Sequence, residues 1–214
     1  MKKIILLLAI FVFNFANSQS FSKGKLINFN KAVIVLDSNS LGTPQFGTPT
    51  WIDHLTIKIN NPNCVIYNFS VSGQSISEML GDVNTQIDPL FQVGKTNVLL
   101  VHEMINERFF KRSATLAESI EKFKKYCLDR RKKGWKVIVI TQYDTMYPCR
   151  QELLDFNTWL KANWDGFANG IVDVWQEPIY RDATNPIYFP DGVHTGVNEP
   201  MAQLIYRRLI KIAK

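Results

Sequence analysis

K-A-V-I-V-L-D, residues 31 to 37, decides how this chain folds. Residues 32 to 36 are apolar without interruption, and no polar residue falls at alternate positions. A strand with one wet face would alternate. A continuous run reads as a strand covered on both faces, as in a parallel sheet held between two layers of helices. The pattern returns in N-V-L-L-V, residues 97 to 101, and in W-K-V-I-V-I-T, residues 135 to 141. Shorter runs at 64 to 67 and 171 to 174 read the same way.

Helical patterns separate these runs. Thr48 and Pro49 read as an N-cap and first helical position, with Ile52, Leu55 and Ile59 following at helical spacing. Ser75 and Glu78 read as a capping box ahead of Met79, Val83 and Ile87. Leu116, Ile120, Phe123 and Cys127 mark a long amphipathic helix that Gly134 stops. Residues 153 to 164 form another, and Met201, Leu204, Ile205, Leu209 and Ile212 line one side of the last. The alternation predicts an α/β fold: a flavodoxin-like three-layer α/β/α sandwich with a five-stranded parallel sheet. No repeat, low-complexity tract or second domain is evident.

The chain has 214 residues and a formal charge of +6. It begins M-K-K, runs apolar from residue 4 to 13, and then reads Ala16-Asn17-Ser18. That is the pattern of a secretory signal peptide over residues 1–18, leaving a domain over 19–214 and predicting a secreted or periplasmic protein. The apolar run is about half of the ~20 residues that span a bilayer, so no stable membrane anchor is expected. No Cys follows it to carry a lipid. The rest is mildly basic, and its densest run, residues 130 to 133, closes a helix, where cations suit the dipole. No nucleic-acid partner is expected. Cys64, Cys127 and Cys149 are too widely spaced for a local metal knuckle. Cys64 falls in a strand and reads as core, and pairing of Cys127 with Cys149 is open.

Ligands of open parallel sheets bind beyond the carboxyl ends of the strands, so the residues after each strand carry the function. D-S-N-S-L-G, residues 37 to 42, puts Ser38 at a strand end, where a nucleophile can stand; an Asp-Ser cap is the ordinary alternative. V-S-G-Q, residues 71 to 74, offers the Gly73 N–H near a helix N-terminus, where developing negative charge is favoured, or merely a turn. H-E-M-I-N-E, residues 102 to 107, offers the Asn106 amide as an oxyanion donor, or a loop Asn bonding its own backbone. F-P-D-G-V-H, residues 189 to 194, lets Asp191 accept from Nδ1–H of His194, leaving Nε2 to take a proton from a serine. His54 and His102 are the only other histidines. His54 falls inside the first helix, and no spacing marks His102 as the base.

Taken in order, these four stretches resemble the blocks of the SGNH (GDSL-like) hydrolases. D-S-N-S-L-G resembles the first block, G-D-S-x-x-x-G; Gly73 matches the lone glycine of the second; Met104-Ile105-Asn106-Glu107 resembles the third, G-x-N-D; and D-G-V-H matches the last, D-x-x-H. The resemblance covers the whole domain. It implies Ser38 as nucleophile, His194 as general base, Asp191 orienting His194, and an oxyanion hole from the Ser38 N–H, the Gly73 N–H and the Asn106 side chain. It implies an acyl-enzyme, no cofactor and no metal. The substrate would be a small-molecule or carbohydrate ester, with a short-chain acyl or O-acetyl group. Leu36 and Met104 replace glycines of the family, which leaves open a crowded or a reshaped pocket near the nucleophile, and Glu107 replaces an aspartate, one methylene shorter, which would shift a hydrogen bond bracing the Asn106 loop. Two rival readings are a catalytically inactive SGNH-like domain that binds a glycan, and a flavin- or nucleotide-binding protein. The prolines in T-P-Q-F-G-T-P, residues 43 to 49, do not suit a phosphate loop. Trp175, Tyr180, Tyr188 and Phe189 are placed either to stack on a sugar or to pack.

Overall fold

A computed structural model describes residues 27–39, 42–43, 46–110 and 114–212. The signal-peptide assignment, residues 1–18, lies outside the described residues, as do Ser40 and Leu41.

The apolar runs form β1 (Ala32–Ser38), β2 (Val65–Ser70), β3 (Thr96–His102), β4 (Lys136–Ile140) and β5 (Gly170–Val172). All pair in parallel, in the order β2-β1-β3-β4-β5. This is the flavodoxin-like order. Among the described residues six α-helices lie around the sheet: α1 (Trp51–Ile59), α2 (Ile76–Gln86), α3 (Ile105–Phe110), α4 (Leu116–Lys132), α5 (Arg150–Asn163) and α6 (Glu199–Leu209).

Strand alternation divides the core in two. Ile34, Leu36, Val98, Leu100, Ile138 and Ile140 face α1 and α6. Val33, Val35, Leu99, Val101, Val137 and Val139 face α2, α4 and α5. Each is fully buried, worth roughly 1.5–3 kcal/mol apiece. The three-layer prediction therefore holds, for the reason the apolar runs gave.

Two boundaries differ. The first helix is capped by Thr50: its Oγ accepts from Asp53 N at 3.2 Å, and Asp53 Oδ2 accepts from Thr50 N at 2.7 Å. The acid three residues on selects Thr50 over Thr48, and Pro49 precedes the cap. Residues 105–110, expected as loop, form α3. The Ser75–Glu78 box forms as expected. None of the three cysteines is in a disulfide.

Candidate active site

The turn before α6 is built from its own residues. Asp191 Oδ1 accepts from Val193 N at 2.9 Å and His194 N at 2.7 Å, while Oδ2 lies 2.6 Å from His194 Nδ1. Burial pulls the Asp191 carboxyl upward, but these hydrogen bonds outweigh it and hold the group below its ordinary range. The carboxylate thus stays ionised and orients the ring, and no described residue is bonded to Nε2. Gly192 makes the turn possible: its φ is +74°, and a Cβ there would lie 2.5 Å from Met146 Sδ. Beneath the turn, buried Phe189 packs on Tyr143, whose ring stacks on His102.

Gly73, φ +81°, sits in the turn closed by Gln74 N to Val71 O at 3.1 Å, just before the capped start of α2. A shallow depression of about 320 Å³ opens here, lined by Val71, Ser72, Gly73, Gln74, Glu78 and Asp82. Asn106, in the first turn of α3, donates Nδ2–H to Gln74 O at 3.0 Å. That bond joins the two loops expected to hold an oxyanion, and it leaves the second amide hydrogen for another acceptor.

Glu103 is the residue supporting this candidate site that the sequence reading missed. It is fully buried. Its Oε2 accepts from Asn39 Nδ2 at 3.2 Å, from Asn106 N at 3.3 Å and from Met104 N; Oε1 accepts from Glu107 N at 2.7 Å. These N–H groups open α3 and have no partner within the helix. Burial pushes the Glu103 carboxyl up to about 8 against the pull of its donors. One carboxyl therefore starts α3, sets Asn106 and ties both to the end of β1. The signal was an acid two residues ahead of I-N-E-R-F-F, legible only once that stretch is read as helix. Glu107 braces α3 from the other side. It accepts from Ser77 N at 3.2 Å, Ser77 Oγ at 2.9 Å and Lys122 Nζ at 2.8 Å. Burial raises its carboxyl, yet these partners hold it below the ordinary value.

Ser38 is the last residue of β1 and is 0% exposed. Its Oγ lies 2.8 Å from Ser70 Oγ, which also accepts from Gly42 N at 3.1 Å. Ser70 thus pins the chain on both sides of residues 40 and 41, and a Cβ at Gly42 would lie only 2.3 Å from its Oγ. No hydrogen bond joins Ser38 to His194. The structure therefore brings Gly73 and Asn106 together beside the end of β1 and pairs Asp191 with His194, while the Ser38 hydroxyl is turned to β2. Asp37 points to the opposite face and bonds Tyr126; burial pushes its carboxyl up to about 7. His102, the register partner of Ser38, is fully buried, and neither ring nitrogen has a described partner. Burial drives its pKa down to about 3, so it packs as a neutral ring.

Leu36 and Met104 are both fully buried in the core, and Leu36 Cδ2 would lie 2.7 Å from a Cβ at Gly42. The rings suggested for sugar stacking are also spent on packing. Trp175 Nε1 donates to Gln142 O at 2.7 Å, Tyr180 O–H donates to Val197 O at 2.7 Å, Phe189 is buried, and Tyr188 packs against the core. Among the described residues no group of His, Cys, Asp or Glu has a metal-holding arrangement. No described helix is long and apolar enough to cross a membrane. A separate basic cavity of about 270 Å³, lined in part by Arg207, Arg208 and Lys211, contains none of these motif residues.

No family model matches the chain, and no curated protein matches it by sequence. Solved structures do. An acetylxylan esterase, Axe2, from Geobacillus stearothermophilus aligns at TM-score 0.64 and 14% identity over 89% of this chain and 97% of that one. The acetyl xylan esterase AlAXEase aligns at TM-score 0.63 and 11% identity over 82% and 98%. A member of the lipolytic G-D-S-L family from Veillonella parvula aligns at TM-score 0.62 and 16% identity over 82% and 94%. The chain shares the α/β three-layer fold of these G-D-S-L-family and acetyl xylan esterase structures, across nearly their whole length.

Proposed function

We propose that this chain is a serine ester hydrolase. The observation that carries the reading is the Asp191–His194 pair: an ionised carboxylate 2.6 Å from Nδ1, on the turn that precedes the last helix. The fold shared with esterases supports it. His194 takes the proton of a serine hydroxyl at the end of β1, the oxygen attacks an ester carbonyl, and the alcohol leaves with the proton. The Gly73 N–H and the Asn106 amide hold the oxyanion. Water then releases the acid by the same route.

The motif gives the hydroxyl to Ser38. A second reading gives it to Ser40, two residues on, and the complete burial of Ser38 and its bond to Ser70 favour that one. Acetyl groups on carbohydrate suit the esterases that share the fold, but no residue here speaks for the sugar. We also propose export, with cleavage after Ser18. N-terminal sequencing of the exported protein should begin at Gln19, and an intact Met1 would contradict it.

The test is hydrolysis of p-nitrophenyl acetate by the chain from Gln19 and by folded Ser38→Ala, Ser40→Ala and His194→Ala variants. Activity lost in His194→Ala and in one serine variant supports the esterase and names the nucleophile. Equal rates in all four would sink it.

A further inference from the structure

Seven large hydrophobic side chains are exposed among the described residues: Phe46, Ile57, Val71, Val93, Phe110, Met146 and Ile187. Five of them fall one to each connection leaving a strand: Phe46 after β1, Val71 after β2, Phe110 after β3, Met146 after β4 and Ile187 after β5. In a parallel sheet those connections begin at one edge, the edge that carries Gly73, Asn106 and the His194 turn.

One of these side chains touches the turn itself, and another lies just beyond it. Met146 N donates to Gly192 O at 2.8 Å, and its sulfur lies over the Gly192 Cα. Phe46 lies 3.8 Å from where a Cβ at Gly196 would stand. A third starts from the other side of the site. Asn106 and Phe110 are four apart on α3 and so share a helix face. Phe110 meets Phe109 edge-on, Phe109 stacks on Tyr147 at 4.1 Å between ring centroids, and Tyr147 adjoins Met146 in the chain. Val193, next to His194, packs in the same cluster. An apolar wall thus runs from the helix of the oxyanion donor to the turn of the base. Its ends stay open to solvent: Phe110 is 58% and Met146 63% exposed.

We propose that Phe110, Phe109, Tyr147 and Met146 form an acyl-binding wall, and that the substrate is an ester of a medium- or long-chain acyl group rather than an acetate. The inference rests on the esterase reading and deepens it. A carbonyl oxygen held by Asn106, with its carbon within reach of the nucleophile, leaves one arm of the ester between α3 and the turn, and the apolar wall there suits the acyl chain. Methylenes laid there leave water, and they cover rings that the fold leaves bare.

The experiment is a series of p-nitrophenyl esters (acetate, butyrate and octanoate) with wild type and a Phe110→Ser/Met146→Ser variant. For wild type, kcat/KM should rise roughly tenfold or more from acetate to octanoate. In the variant the octanoate-to-acetate ratio should fall towards one. A His194-dependent wild-type rate that falls with chain length overturns the acyl wall and leaves the esterase standing. An unchanged ratio in the folded variant also overturns it. Hydrolysis that survives His194→Ala, or none with any ester, overturns both. The wild-type series decides even if the variant does not fold.

Discussion

The turn at residues 189 to 194 and the end of β1 supply opposite halves of the candidate site, and they are held in opposite ways. Every hydrogen bond of Asp191 to Val193 and His194 spans two or three residues. At the end of β1, Ser38 bonds a residue 32 positions away and Asn39 one 64 positions away. The turn lies partly exposed, and the strand end is buried. A local, wet motif can be altered with little effect on folding. A buried, long-range one cannot, so the two halves should answer mutation differently.

The largest effect is expected at the turn. His194→Ala should lower kcat on the order of 10³–10⁴ with little change in Tm. A comparable drop in Tm would show that the turn is not the independent unit described. Asn106→Ala should cost on the order of 10²–10³ in kcat, since one oxyanion donor goes. Unchanged kcat in a folded variant removes Asn106 from the site.

At the strand end the effect should move to stability. Glu103→Ala leaves buried N–H groups of α3 without an acceptor and should cost roughly 2–4 kcal/mol in urea unfolding. Glu103 also gives that half its own pH dependence. Burial raises its carboxyl from the ordinary 4.5 to about 8, and that of Asp37 from 3.8 to about 7. The folded protein therefore holds protons that the unfolded chain releases. Their contribution is complete below about pH 4 and is lost as pH rises towards 8. Asp191 and Glu107 are held low, so their contribution changes only at more acid pH. Unfolding free energy should fall from pH 5 to pH 8, and Glu103→Gln should flatten the slope. A slope of opposite sign would contradict the assignment.

The smallest effect on stability is expected in Ser38→Ala. Losing the bond to Ser70 should cost about 1 kcal/mol. If Ser40 is the nucleophile, kcat should change far less than in His194→Ala.

The same contrast explains what the sequence made legible. D-G-V-H could be read because its whole geometry lies within four residues. The strands could be read because burial on both faces leaves an unbroken apolar run. Their ends could not: Asp37 and Ser38 extend β1 only because Tyr126 and Ser70 meet them from distant elements. I-N-E-R-F-F has no helical signal of its own beyond the acid before it, and Glu103, reaching from the strand, caps it. Thr48 and Thr50 look alike as caps until Asp53 is counted. The candidate nucleophile falls in the least legible place, where D-S-N-S offers two serines and the first of them, Ser38, is fully buried.

Covalent trapping tests the central claim most directly. The folded chain would be treated with a fluorophosphonate and digested, and the adduct located by peptide mass mapping. A single adduct on Ser38 or Ser40, formed at least ~10²-fold more slowly in His194→Ala, is the result predicted. No adduct, or an adduct elsewhere that forms equally fast without His194, would contradict a serine nucleophile activated by the Asp191–His194 pair.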